Sequence, residues 1–242
     1  MAGEGLDVAR LGWQGIEGDR RLAFRRLTDD SEFPWLTASK LPQLLLYKPF
    51  RLDHNTNSMN GELLPTHVRT PEGKEYELRS NELREDISNR YGSDVELMNL
   101  KNGIFDEASI SVITPGTVRC IQRESGRGVD PCDLRRFRPN IVIETSGAEP
   151  FEEDRWVGRT LTFGMFGEEN SGPASIVAPM AAIGITMKDE RCRMVNFDPD
   201  TAERDSTVMR TVVRLNKNYA GVYATVVSAG ELRVGQVVTL AG

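Results

Sequence analysis

The sequence predicts a mainly β protein of the α+β class, an antiparallel barrel or sandwich with a few short helices. Three observations carry that expectation. Short runs rich in β-branched residues recur through the second half of the chain. Only three segments show convincing helical spacing. The strand-like runs are not interleaved with regular helices, which argues against a βαβ layout.

In chain order, "RRLAFRRL" is strand-like and runs into the turn-prone "TDDSEF", and "QLLLYKPFRL" is an apolar run of strand length. The segment "HNTNSMNGELLP" is polar and punctuated by Gly and Pro, and reads as a loop. "THVRTPEGKEYEL" reads as a hairpin turning at Pro71, Glu72 and Gly73. The first helix is "SNELREDISNRYG": Ser80 caps it, Leu83, Ile87 and Tyr91 share a face, and Gly92 ends it. The second is "TPGTVRCIQRES", with Thr114 as N-cap and Pro115 at the first helical position, where its missing N–H is harmless. The third is "DSTVMRTVVRL", with Val208, Val212 and Leu215 on one stripe. "NIVIET", "RTLTFG", "SIVAPMAAIGITMK" and "RCRMVNF" read as strands. The closing "GVYATVVSAGELRVGQVVTL" reads as two strands around a turn near Ala229 and Gly230. "GEENSGPAS", residues 167 to 175, reads as an exposed loop.

The 242 residues suffice for one large domain or two interlocked smaller ones. A net charge of −6 argues against a general binder of nucleic acid or anionic membranes. The three cysteines, Cys120, Cys132 and Cys192, have neither disulfide-framework nor zinc spacing. No apolar run approaches the roughly 20 residues a membrane span needs. The start shows no signal-peptide pattern, so a reducing cytoplasm is the expected location.

Four stretches invite chemical readings. Cys192 lies between Arg191 and Arg193 at the head of an expected strand. Flanking guanidinium groups favour a thiolate, the form a metal ligand or nucleophile needs. A small buried side chain, with the arginines turned away, remains the alternative. In "DLRRFRPN", Arg135, Arg136 and Arg138 precede Pro139 and Asn140; forked guanidinium groups suit phosphate or carboxylate, although a solvated charge run is the simpler reading. The turn at Thr114 offers helix N-terminal amides beside the Thr114 and Thr117 hydroxyls, a geometry able to hold an anion but usually empty. "GWQGIEGDRR" lacks dinucleotide-fingerprint spacing; it reads either as a tight loop that brings Arg20 toward a ligand or simply as a hairpin. The acids of "EPFEEDRW", Glu152, Glu153 and Asp154, could serve as acid-base groups, although three in a row ahead of a tryptophan more often form a solvated turn. His54 and His67 have no evident catalytic partner, so a Cys-His hydrolase is not supported.

Taken in order, "GIEGDRRLAF", "LTASKLPQL", "FDEASISVITPGTV", "LRRFRPNIVIE", "PFEEDRWVGRTLTFG", "RCRMVNFDPDT" and "GVYATVVSAGELRVGQVVTL" resemble the MOSC family, named for the C-terminal domain of molybdenum-cofactor sulfurase. The resemblance covers nearly the whole chain. It implies a β-barrel MOSC domain over residues 101–242 and an N-terminal β-barrel module over residues 1–100. It makes Cys192 the catalytic residue and molybdenum ligand. It also places Arg20, Thr114, Thr117, Arg138, Asn140 and Arg191 at a molybdopterin cofactor, and leaves Cys120 and Cys132 to packing. The implied activity is reduction of N-hydroxylated compounds, as in the amidoxime-reducing relatives. With no four-cysteine iron–sulfur set, electrons are expected from a separate ferredoxin or flavin-reductase type protein, and the substrate is a small molecule. No nucleic-acid or membrane partner is expected. Two other readings stay open: a sulfur carrier using a Cys192 persulfide, and a non-catalytic cofactor-binding module.

Overall fold

The computed structural model describes residues 1–51, 64–100, 103, 107–126, 133–164 and 180–242. The two expected loops within residues 54–65 and 167–175, and Cys132, lie wholly or largely outside the described residues. Among the described residues, seven strands lie in the first half: β1 (Val8–Gly12), β2 (Gly15–Ile16), β3 (Leu22–Arg26), β4 (Lys48–Phe50), β5 (His67–Arg69), β6 (Glu75–Glu77) and β7 (Val95–Asn99). Seven more follow: β8 (Ile110–Ile113), β9 (Ile141–Val142), β10 (Thr160–Phe163), β11 (Ala182–Glu190), β12 (Tyr219–Ser228), β13 (Gly230–Arg233) and β14 (Val238–Ala241). The helices are α1 (Asn81–Tyr91), α2 (Pro115–Glu124) and α3 (Thr207–Asn216). The mainly β, α+β expectation holds. Among the described residues, no helix is long and apolar enough to cross a membrane.

Two compact units share the chain. The first comprises residues 1–4, 18–104 and 193–206; the second comprises residues 5–17, 105–192 and 207–242. Neither is one continuous stretch. Residues 5–17 belong to the second unit because β1 pairs antiparallel with β13 and Leu11 is buried in that unit's core. Phe197 carries residues 193–206 into the core of the first unit, among Leu83, Ile87 and Val95.

In the first unit, β3 pairs with β7, and β4, β5 and β6 form a separate meander. Helix α1 forms as its termini dictate. Ser80 Oγ accepts a hydrogen bond from the Leu83 amide at 3.2 Å, and Gly92 closes the helix in the left-handed region at φ 82°. Leu83 and Ile87 are fully buried beneath it. Ser80→Ala leaves that amide without its cap and is expected to lower stability by about 1 kcal/mol. Urea unfolding checks this, and an unchanged midpoint would show that the cap contributes nothing here.

The second unit is built on a six-stranded sheet in the order β14-β10-β11-β12-β8-β9, antiparallel except for β8 with β9. Its long strands β11 and β12 slip register between Ala182 and Ile183, between Ile185 and Met187, and between Lys188 and Glu190. Such bulges bend and twist the strands, curling this sheet into a half-barrel. Ile110, Val112, Ile183, Val222 and Ala224 are wholly buried on it. Helix α2 begins as expected, with Thr114 capping and Pro115 in the first turn.

Four local expectations are corrected. "RCRMVNF" is not a strand. The strand is β11, which ends at Glu190, and Arg193–Asn196 form a 3-10 turn. Val195, Asn196 and Phe197 are buried in succession, and the Phe197 amide donates to the Met194 carbonyl at 3.1 Å, a turn bond in place of a strand pairing. The closing segment holds three strands, because residues 234–237 form a second turn, between β13 and β14. "QLLLYKPFRL" opens with a 3-10 turn at Pro42–Leu46, started by the proline, before the short strand β4. Finally, "EPFEEDRW" is not simply solvated: it forms a 3-10 turn whose Glu153 is fully buried.

Candidate functional site around Cys192

Strand β11 ends in alternation. Asp189 points inward at 1% exposure, Glu190 outward, Arg191 inward at 8%, and Cys192 outward and exposed. Every nitrogen of the Arg191 guanidinium is engaged. Nε donates to the Ala220 carbonyl at 2.6 Å, Nη1 donates to the Phe137 carbonyl at 2.7 Å, and Nη2 lies 2.8 Å from Asp189 Oδ2. The Ser111 hydroxyl donates to the same Asp189 oxygen at 2.7 Å. The guanidinium carbon also stands 5.6 Å from the Phe137 ring centre, a cation–π contact between two buried side chains. Burial pushes the Arg191 pKa below its ordinary value. Asp189 opposes that push most strongly, followed by Tyr223, Cys192 and Glu153.

One glycine makes room for this arrangement. Gly221 in β12 has φ +85°, and a Cβ there would lie 2.6 Å from the Val112 carbonyl oxygen and 3.0 Å from Arg191 Nη2. The missing side chain thus admits both the backbone conformation and the guanidinium.

Arg191 also fixes a second segment beside the cysteine. The bonded carbonyl belongs to Phe137, the last residue of the 3-10 turn Leu134–Phe137. Arg138 follows at once in the left-handed conformation, φ 49°, and is half-buried. The Asn140 side-chain oxygen accepts from the Ser111 amide at 3.0 Å, and the Asn140 amide donates to the Ser111 carbonyl at 2.8 Å. Ser111 therefore links Asn140 to Asp189 and, through it, to Arg191. Cys192 and Arg138 each stand one residue from an end of the Arg191–Phe137 hydrogen bond.

A second polar cluster surrounds Glu153. Thr114 Oγ1 and Thr117 Oγ1 donate to Glu153 Oε2 at 2.8 and 2.9 Å. Thr117 Oγ1 in turn accepts from the Phe151 amide at 2.7 Å, and Thr114 Oγ1 accepts from the Thr117 amide at 3.3 Å. Both threonines and Glu153 are wholly buried. Desolvation raises the Glu153 pKa above its usual range, and these hydrogen bonds only partly oppose it. Next to it, Asp154 accepts from Lys188 Nζ at 2.7 Å and from Asn216 Nδ2 at 2.9 Å.

A profile of the MOSC domain matches residues 99–239, more than half of the chain. The chain belongs to the MOSC domain family. The family is associated with molybdenum-cofactor binding. No curated protein sequence matches the chain. Among solved structures this MOSC protein is similar to APC1665, the YUAD protein from Bacillus subtilis. Identity there is 12%, over 97% of this chain and 85% of that one, with a TM-score of 0.44.

Among the described residues of this MOSC protein, no three His, Cys, Asp or Glu side chains are grouped to hold a metal ion by themselves. At Cys192 the chain offers one exposed sulfur donor. A single soft donor fits a metal that brings sulfur ligands of its own, as a pterin dithiolene does. It does not suit a bare ion that depends on the protein for its full coordination.

Of the residues singled out from sequence, Cys192, Arg191, Arg138 and Asn140 are joined by the Arg191–Phe137 and Asn140–Ser111–Asp189 links. The Thr114 and Thr117 hydroxyls are turned onto Glu153. Arg20 belongs to the first unit, where it holds φ 51° and pairs with Asp19 at 2.7 Å. Sequence reasoning missed Ser111, Asp189, Gly221 and the burial of Glu153. A lone glycine amid the β-branched run "NYAGVYATVV" was the one available signal for Gly221.

Proposed function

We propose that this MOSC protein binds a molybdenum–pterin cofactor through Cys192 and reduces N-hydroxylated small molecules. The observation that carries the reading is the exposed Cys192 thiol at the end of β11, next to an arginine whose guanidinium is fully engaged by the protein. Cys192 Sγ would hold the metal. Arg138, with Asn140 anchored to Ser111, would face the anionic tail, for which guanidinium is the preferred partner. Bound there, the cofactor supplies the two-electron chemistry that removes oxygen from an N–O group. Arg191 acts through its neighbours: it holds the Cys192 backbone and the Phe137–Arg138 corner in one geometry. The Glu153 cluster holds the first turn of α2 against the 3-10 turn at Glu152–Trp156. A separate electron-donor protein, of the ferredoxin or flavin-reductase type, completes the cycle.

The test is elemental analysis and oxidised-pterin fluorescence on protein purified from a molybdate-fed host. Near-stoichiometric molybdenum that is lost in Cys192→Ala, while the variant stays folded, is the expected result. Protein free of metal and pterin, with Cys192 heavier by one sulfur atom, would overturn it in favour of a persulfide carrier. Loaded protein that reduces no amidoxime or N-hydroxylated base with a ferredoxin or flavin reductase would leave binding intact and remove the activity.

A further inference from the structure

The first unit contains a groove of about 450 Å³ beside the start of α1 and the β3–β7 pair. That volume falls within the roughly 300–1,000 Å³ of typical small-molecule sites. Phe24, Leu27 and Leu97 give it an apolar wall, and Leu27 stays 46% exposed. Arg79 and Arg84 line it as well, together with Glu96.

The arginines are the informative feature. Elsewhere in this unit Arg26 pairs with Asp29, Arg69 with Glu75, and Arg90 with both Asp86 and Glu72. Arg79 and Arg84 form no side-chain hydrogen bond or ion pair with any described residue. Glu96 shares the groove without pairing to either. In a chain with 36 acidic residues, two guanidinium groups left without partners beside exposed apolar surface form a site with a defined preference. Two positive charges against one carboxylate leave a net charge of +1 in the lining, which suits a monoanion better than a phosphate dianion.

We propose that this groove binds an amphipathic monocarboxylate, its apolar body against Phe24, Leu27 and Leu97 and its carboxylate at Arg79 and Arg84. Forked N–H donors match the two carboxylate oxygens, and the apolar wall contributes in proportion to the area it covers. The site uses only residues of the first unit and does not depend on the reading of Cys192.

The test is a titration of the full chain with octanoate and, as an uncharged counterpart, 1-octanol, followed by backbone amide shifts. Octanoate is expected to saturate at millimolar concentration, with shifts confined to residues near 24–27, 79–84 and 95–97. Octanol should bind several-fold more weakly. Arg79→Ala and Arg84→Ala should each weaken octanoate about threefold and together about tenfold, a span set by partly solvated charge pairs. Both positions are at the surface, so the variants should keep the wild-type amide spectrum elsewhere. Absence of saturation, equal affinity for octanoate and octanol, or an unchanged octanoate affinity in the double variant would each overturn the proposal.

Discussion

Arg191→Ala is expected to lower the stability of the chain by about 3–5 kcal/mol, the range for breaking a buried ion pair from one side. The substitution removes the cation that faces Asp189, a carboxylate 1% exposed, and strips the Ala220 and Phe137 carbonyls of their donor. The Ser111 hydroxyl still donates to Asp189 Oδ2, but no longer beside a cation. Arg191→Lys should fall between the variant and wild type, because a point charge on a flexible stem cannot reach all three partners at once. Removing both charges, as Asp189→Asn with Arg191→Met, should recover part of the loss, since no lone buried charge is then left. Urea unfolding of the four proteins measures this. A midpoint for Arg191→Ala within about 1 kcal/mol of wild type would show that the cluster is not a structural anchor. If Cys192 is the metal ligand, the lysine variant should also lose molybdenum content beyond its loss of stability, because the Phe137–Arg138 corner loosens with it.

Glu153→Ala is expected to lower stability by about 2–4 kcal/mol, combining a buried cavity with two hydroxyls deprived of their acceptor. Thr114 and Thr117 lie 3.2 Å apart and can bond each other, which keeps the effect from being larger. Glu153→Gln keeps an acceptor oxygen and fills the same volume, so it separates shape from charge. The sign of the pH effect follows from the raised native pKa. In the unfolded chain Glu153 titrates near 4.5, and in the native state it holds its proton to a higher pH. Between those two values the native state binds more protons, so stability declines as pH rises through the window and levels off above the native value. Glu153→Gln lacks that decline. As pH rises above about 4.5 its unfolding midpoint should therefore rise relative to wild type, and parallel pH profiles would rule the desolvated carboxyl out.

How far the site could be read in advance depended on the range of the interactions involved. The Ser80–Gly92 helix and the Thr114–Pro115 helix start are set by contacts within a few residues, and both stand where the sequence places them. The ordered motifs around Cys192 likewise point to the MOSC family from the sequence alone, and the family match agrees. The role of Arg191 was different. A cation beside a cysteine was legible in "DERCRMV", but its direction was not, because its partners lie 29 and 54 residues away at Ala220 and Phe137. Glu153 was hidden for the same reason. Three consecutive acids look solvated until Thr114 and Thr117, 39 and 36 residues earlier, supply the donors that bury one of them.

The sequence by itself determined the β-rich class, the ends of the first helix and the start of the second, and the family through its ordered motifs, since patterning and capping are written in neighbouring residues. Only the tertiary structure decided which charges face inward. The end of β11 and the two residues after it turn Asp189 and Arg191 inward and leave Cys192 outside, and Gly221 leaves the space that the guanidinium occupies. A buried charge is tolerated only where distant backbone and side-chain groups converge on it, and that convergence comes into being with the fold.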